Sequence, residues 1–282
     1  MTKAEDVCVV IPIYRAKMSE LEELSFKRMI SVFQKRAIYL ISPPSIQDYT
    51  TDLAAGYENV TAEILSEDDF GSPLAFNRLS LKPSFYERFF DYDYLLICQL
   101  DVYVFKDDLD TWTSRDEDFF GAPIFEGYTK GRREFKKMGN NGGISLRSIK
   151  SCHRVLSEIS FRFNKFSSLW NVERHWGWRL YRLIRDGLIF NYNVGHLKPV
   201  INEDLFWSAI IPQQFSWFTA CKPEVGMYFA YDTNPRLLFE KSGCVYPMAI
   251  HAWWTYDREF VEGIIEAYDS EASTARMAAP VL

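Results

Sequence analysis

A chain of 282 residues, 48% of them hydrophobic, holds enough material for one large α/β domain or two small ones with a sizeable core. The formal net charge of -6 excludes a nucleic-acid backbone as the main partner, because binding phosphates needs a basic surface. The five cysteines (Cys8, Cys98, Cys152, Cys221 and Cys244) are odd in number and form no C-x-x-C pair, which argues against a structural zinc site or a disulfide framework and for a reducing compartment.

Val7 to Ile13 is a short apolar run that predicts a buried first strand, stopped at Pro12, with Tyr14 and Arg15 in the loop behind it. Lys3, Glu5 and Asp6 precede only that short run, so no signal peptide is expected, and no run is long enough to span a bilayer. A soluble, cytoplasmic protein is the expectation. Glu20 to Phe33 has helical spacing through Leu21, Leu24, Met29, Ile30 and Phe33. Ala37 to Ile41, closed by Ser42-Pro43-Pro44, and Val60 to Leu65 predict the next two strands. The alternation points to βαβ units and a largely parallel sheet. Ser72 and Pro73 open a helix that carries Asn77 and Arg78, Pro83 interrupts it, and Ser84 to Phe90 forms a second piece.

The stretch from Asp91 to Phe105 organises the chain. Its apolar part, Tyr94 to Cys98, reads as a strand buried on both faces, and Gln99 and Asp101 follow where that run ends. A carboxylate there is either an ordinary turn residue or a ligand group at the carboxyl end of an open sheet, where such sheets bind their ligands. Phe119 to Pro123 predicts another short strand. Lys130 to Lys137 is a basic cluster that reads as a solvated loop. Gly139-Asn140-Asn141-Gly142-Gly143 is the most glycine-dense stretch and reads either as a hairpin loop or as backbone in close approach to a ligand.

Ser151 to Phe166 again has a helical pattern, and Trp170 to Arg185, rich in Trp and Arg, is a second helical candidate. In Asn202-Glu203-Asp204-Leu205-Phe206-Trp207, the two carboxylates either favour a helix N-terminus or supply a catalytic base there. Phe229 to Asp232 and Tyr246 to Trp254 close the folded part, and the Ala- and Ser-rich tail beyond Ser270 is expected to be poorly ordered. The 8 Trp, 16 Tyr and 22 Phe serve sugar stacking or core filling, and composition favours the core.

Six stretches recur in order: Asn77 with Phe85-Tyr86-Glu87; Leu96 to Asp101; Phe120 to Pro123; Asn141 to Arg147; Asn202 to Phe206; and His251-Ala252-Trp253. Together they resemble the GT-A class of nucleotide-sugar glycosyltransferases. More closely, they resemble an uncharacterised bacterial and fungal family with a glycosyltransferase-like fold. The resemblance implies one GT-A-like, Rossmann-like α/β domain over residues 1–257, with a mostly parallel central sheet flanked by helices, and a C-terminal helix or tail over 258–282. It implies inverting, metal-assisted transfer of a sugar from a nucleoside-diphosphate sugar to a hydroxyl in surface polysaccharide or glycoconjugate assembly.

By the same resemblance, Asp204 is the base and Glu203 orients the acceptor. Pro12, Tyr14, Arg15, Asn77, Gln99 and Asp101 hold the donor nucleotide. Asn141, Gly142, Gly143 and Trp253 face sugar or acceptor. Asp101 and His251 bind Mn²⁺ or Mg²⁺, although the packing of a buried histidine is an equal reading for His251. Where the class carries Asp-x-Asp, this chain has Gln99-Leu100-Asp101, and Gln99 can hydrogen-bond but supplies no charge. The implied partners are a nucleotide-sugar donor and a glycan or lipid-linked glycan acceptor, with no nucleic acid and no transmembrane segment; contact with the inner face of a membrane is compatible with this. The alternative is a catalytically silent carbohydrate-binding protein on the same fold. A nucleotidyltransferase lacks its basic Gly-rich loop here, and a metalloprotease lacks H-E-x-x-H.

Overall fold

The computed structural model describes residues 6–127, 133–158 and 202–278. Its main sheet has six strands in the order β3-β2-β1-β4-β7-β6. Strands β1 (Val7–Pro12), β2 (Ala37–Ser42), β3 (Val60–Ile64) and β4 (Tyr94–Cys98) are mutually parallel. Strands β7 (Phe135–Ser148) and β6 (Phe119–Phe125) continue the sheet antiparallel beyond β4. Every residue of β1 is buried, with no polar alternation, because side chains of both pleat directions meet a core. Val7, Val9 and Ile11 join one cluster with Phe26, Met29 and Phe33 of the α1 side. Cys8 and Val10 join another with Phe76, Leu79, Phe85 and Trp207.

Helix α1 (Glu20–Val32) begins in a capping box, in which Glu22 N–H donates to Ser19 Oγ and the Glu22 carboxylate accepts from the Ser19 N–H. α2 (Gln47–Ala55), which the sequence reading did not anticipate, precedes β3. α3 (Pro73–Leu79) carries Pro73 in its first turn, as expected, whereas α4 (Pro83–Glu87) begins on Pro83, which was read as an interruption ahead of a piece at Ser84 to Phe90. α5 (Leu109–Thr113) and α6 (Ile149–Glu158) follow β5 and β7.

A second sheet of three short strands, β5-β9-β8, stands beside the first. It consists of β5 (Tyr103–Val104), β8 (Ala230–Tyr231) and β9 (Ala249–Ile250). Its residues Tyr103, Tyr231 and Ile250 form a third core with Trp253, Val261 and Ile264. Helix Arg258–Ala278 thereby packs into the body of the fold rather than trailing from it. The tail expected to be poorly ordered beyond Ser270 is helical through Ala278, in keeping with alanine's helix propensity. Arg28 fastens this region, donating to the carbonyls of Val104 and Phe105 and pairing with Asp269.

The glycine-dense stretch is not a hairpin loop: it lies inside β7. Of the predicted Ser151–Phe166 helix, residues 159–166 lie outside the described residues, as do Trp170–Arg185 and the beginning of the basic cluster. Among the described residues, no helix is long and apolar enough to cross a membrane.

Candidate active site

Strand register assembles the first half of the site. β8 runs parallel to β9 with Tyr231 opposite Ile250, so the next residues along, Asp232 and His251, stand side by side. β5 runs antiparallel to β9 with Tyr103 opposite Ile250, which brings Asp101, just ahead of β5, to the same end. Two backbone bonds hold the junction: His251 N–H donates to Tyr231 O at 2.8 Å and Trp253 N–H to Asp101 O at 3.3 Å.

His251 Nδ1 lies 3.0 Å from Asp232 Oδ1, and His251 Nε2 lies 3.4 Å from Asp101 Oδ2. The side chains are 2% exposed for Asp232, 13% for His251 and 32% for Asp101. Burial acts to lower the imidazole pKa, but hydrogen bonds and charge from Asp101 and Asp232 outweigh it and push His251 up to about 10. The second Asp101 oxygen, Oδ1, is buried and has no hydrogen-bond partner. A buried carboxylate oxygen without a donor implies a cation or water beside it.

These residues fit a divalent cation. Asp101 and His251 are the residues that would hold one, with Asp232 behind the imidazole. No group of three or more ligating side chains forms a ready cage among the described residues.

The second half of the site is built by a break in β7. Gly121 of β6 pairs with Ser145, yet its neighbour Ala122 pairs with Asn141, so Gly142, Gly143 and Ile144 are accommodated between consecutive rungs. Asn141 Oδ1 accepts the Gly143 N–H at 2.7 Å, and Gly143 O accepts the Gln99 N–H at 3.1 Å, which ties the bulge to the end of β4. Both glycines are required for space. A Cβ on Gly143 overlaps His251 Nε2, and one on Gly142 overlaps Glu203 Oε1 and lies 3.0 Å from Asp204 Cβ. Gly143→Ala is therefore expected to displace the imidazole from its place between Asp101 and Asp232. A shift of the His251 ring resonances in NMR of the variant checks this, and wild-type ring shifts refute it.

Glu203 and Asp204 open a short helix, Glu203–Leu205, that runs on through π-helical Phe206–Ile210 into Ile211–Gln214. Glu203 is buried, and its Oε2 pairs with Arg147 Nη2 at 2.7 Å. The fully buried Arg147 also donates to Tyr86 Oη at 3.2 Å and Ser145 Oγ at 3.0 Å. Tyr86, Arg147 and Glu203, from three separate sequence motifs, thus meet in one network. Burial, helped by Asp204 and opposed by Arg147, raises Glu203 to about 7. Asp204 accepts the Leu205 N–H at 2.6 Å and lines an open cavity of about 470 Å³ with Glu126, Lys136 and Leu205. Burial chiefly, and Asp232 in addition, lift its pKa above the ordinary aspartate value. That influence of Asp232 puts Asp204 within electrostatic reach of the His251 cluster.

The other expected residues divide. Pro12 ends β1. Tyr14, just beyond it, sets its ring against the edges of Phe70 and Phe76. Burial, then the Asp101 and Glu203 carboxylates, raise the pKa of its hydroxyl. Gln99 follows β4 directly, and Asn77 lies in α3 beside Phe76. Arg15, by contrast, is bound to Glu22 and to Lys17 O in the α1 capping region. Trp253, expected to face sugar or acceptor, lies in the third core. It is 3% exposed, its indole N–H donates to Ser25 Oγ at 2.8 Å, and its ring packs on Tyr103 and Trp254. Asp232 was missed. Nothing in Ala230-Tyr231-Asp232-Thr233 marks it, and its partnership with His251 exists only through the pairing of β8 with β9.

Fold and site define an α/β protein with an acid–imidazole cluster beyond the carboxyl end of β4 and an adjoining carboxylate pair of which Glu203 is buried. Residues 59–251 match the model of a family described as a protein of unknown function, DUF5672, and the chain belongs to that family. No curated protein matches it. Among solved structures, it is similar to the galactosyltransferase LgtC in complex with donor and acceptor sugar analogs, at 14% identity and TM-score 0.47 over 93% of this chain and 95% of that one. It is also similar to apo mouse xyloside xylosyltransferase 1, at 9% identity and TM-score 0.47 over 86% of this chain and 96% of that one. A third likeness, at 13% identity and TM-score 0.43, is to the glycosyltransferase GlyE of Streptococcus pneumoniae TIGR4, over 87% of this chain and 54% of that one.

Proposed function

We propose that the chain is a metal-assisted glycosyltransferase that moves a sugar from a nucleoside-diphosphate sugar to a hydroxyl on a glycan or lipid-linked glycan. The observation that carries this reading is the Asp101–His251–Asp232 cluster, with its unpartnered carboxylate oxygen, joined through Gly142 and Gly143 to Asp204, which lines an open cavity. Open α/β sheets bind ligands beyond the carboxyl ends of their strands, and Asp101 follows β4 at that end. The free cysteines accord with work in a reducing compartment.

Asp101 and His251 would hold Mn²⁺ or Mg²⁺, which supplies Lewis-acid stabilisation of the leaving diphosphate. Tyr14 offers an aromatic edge to the nucleotide, and Gln99 hydrogen-bonds ribose or sugar. Asp204 takes the acceptor proton as the new glycosidic bond forms, and attack from its side inverts the anomeric centre. The Arg147–Glu203 pair holds the helix start from which Asp204 projects.

A panel of nucleotide sugars, assayed for hydrolysis and transfer with and without Mn²⁺, tests the proposal. One donor is expected to turn over with Mn²⁺ and to stop in EDTA. Asp101→Asn keeps the shape of the side chain but removes its charge. It is expected to weaken nucleoside-diphosphate binding by at least ~10-fold in Mn²⁺ and to leave binding in EDTA unchanged. Equal affinity of wild type and variant in Mn²⁺ removes Asp101 from the metal site. Glycan binding with no turnover of any donor replaces the enzyme by a carbohydrate-binding protein.

A further inference from the structure

We infer that Asp232 is a positioning residue that orients His251 as a nitrogen ligand to the divalent cation. The inference rests on the metal-assisted reading above and adds a residue to it.

The pairing of Asp232 with His251 is set by backbone, since both follow directly from paired positions of β8 and β9. Asp232 Oδ1 sits 3.0 Å from Nδ1 and its side chain is 2% exposed, so this carboxylate serves the ring and not solvent. When a cation takes the place of the Nε2 proton, an imidazole whose Nδ1–H is held by a carboxylate presents Nε2 to it, and this carboxylate–histidine pairing is the usual support of a ligating histidine. Here Nε2 faces Asp101 Oδ2 at 3.4 Å. Gly143 packs its α-carbon against the ring so closely that no Cβ fits, which fixes the ring's plane.

A histidine held only for packing between two acids leaves no reason for Asp101 to keep a buried oxygen without a partner. A cation beside the Asp101 carboxylate would account for that oxygen and for the ring's orientation together.

The test is Mn²⁺ binding read by electron paramagnetic resonance, with Mn²⁺ alone and with Mn²⁺ plus UDP, on wild type, Asp232→Asn and His251→Gln. Wild type is expected to bind Mn²⁺ with ¹⁴N coupling from a directly bound imidazole, and His251→Gln to lose that coupling. Asp232→Asn is expected to bind Mn²⁺ about 10–100-fold more weakly, the range seen when a ligand's supporting group is changed, with little change in unfolding temperature. Long-range ¹⁵N NMR of wild type loaded with Zn²⁺ as a diamagnetic stand-in gives a readout that needs no variant, and His251 is expected to carry its proton on Nδ1.

Mn²⁺ bound without ¹⁴N coupling, a proton on Nε2, or Asp232→Asn binding Mn²⁺ as wild type does would each overturn the inference. None of these outcomes touches sugar transfer itself, which is decided separately by donor turnover.

Discussion

Asp204→Asn is expected to cut sugar transfer by roughly 10²–10⁴-fold, the usual contribution of general-base catalysis, while nucleotide-sugar affinity stays near wild type. Folding should be little affected, because an Asn oxygen can still accept the Leu205 N–H that Asp204 accepts at 2.6 Å. The residue before the helix is Asn202, so Asp204 is not its N-cap, and a mere preference for negative charge at the helix start predicts only a small loss of stability. The pH profile gives an independent readout. Burial raises the Asp204 pKa, and transfer needs its ionised form. Activity is therefore expected to fall as pH drops through a value above the ordinary aspartate range, and the variant should lack that limb. NMR of the product should show inversion at the anomeric carbon. Wild-type transfer by the variant, or retention of configuration, would take the role of base away from Asp204.

Arg147→Met is the second large effect, and it falls on stability. Removing one partner of a buried ion pair strands the other, at a cost of about 3–5 kcal/mol. For a domain of this size that lowers the unfolding temperature by on the order of 10 °C. The loss depends on pH in a definite sense. Arg147 now opposes the burial that raises Glu203 to about 7, so without it Glu203 ionises only at higher pH. A folded-state carboxyl pKa raised above the unfolded value means that stability is lost as pH rises, so the deficit of the variant should be larger at alkaline than at mildly acidic pH. Arg147→Met combined with Glu203→Leu should recover most of it, since an apolar pair of similar volume replaces buried ions well. Thermal denaturation of the single and double variants across pH decides the matter. A single variant as stable as wild type would show that the pair does not hold the helix start.

The sequence by itself determined the elements whose causes are local. β1 and β4 announced themselves as apolar runs because both of their faces are buried, and period alone carries that information. The start of α3 followed from proline, and the acidic start at Glu203 from carboxylates at a helix N-terminus. Asp101 stood out as a carboxylate directly beyond a buried strand, a position that suits an ordinary turn and a ligand group alike. Short-range chemistry could not reveal how separate segments are paired. The three-residue bulge that turns Asn141-Gly142-Gly143 into the wall between His251 and Glu203 is a mismatch between β6 and β7, visible only when the two strands are aligned. Asp232 acquires its role only from the register of β8 on β9, where a shift of one residue would place Thr233 or Tyr231 beside the imidazole. Trp253 was expected to face sugar or acceptor, but the third core, which includes residues of helix Arg258–Ala278, covers it and Ser25, distant in sequence, takes its N–H. Such outcomes belong to the tertiary structure because burial and hydrogen-bond partners are settled by whichever distant segment arrives, and a residue's neighbours in the chain do not contain that information.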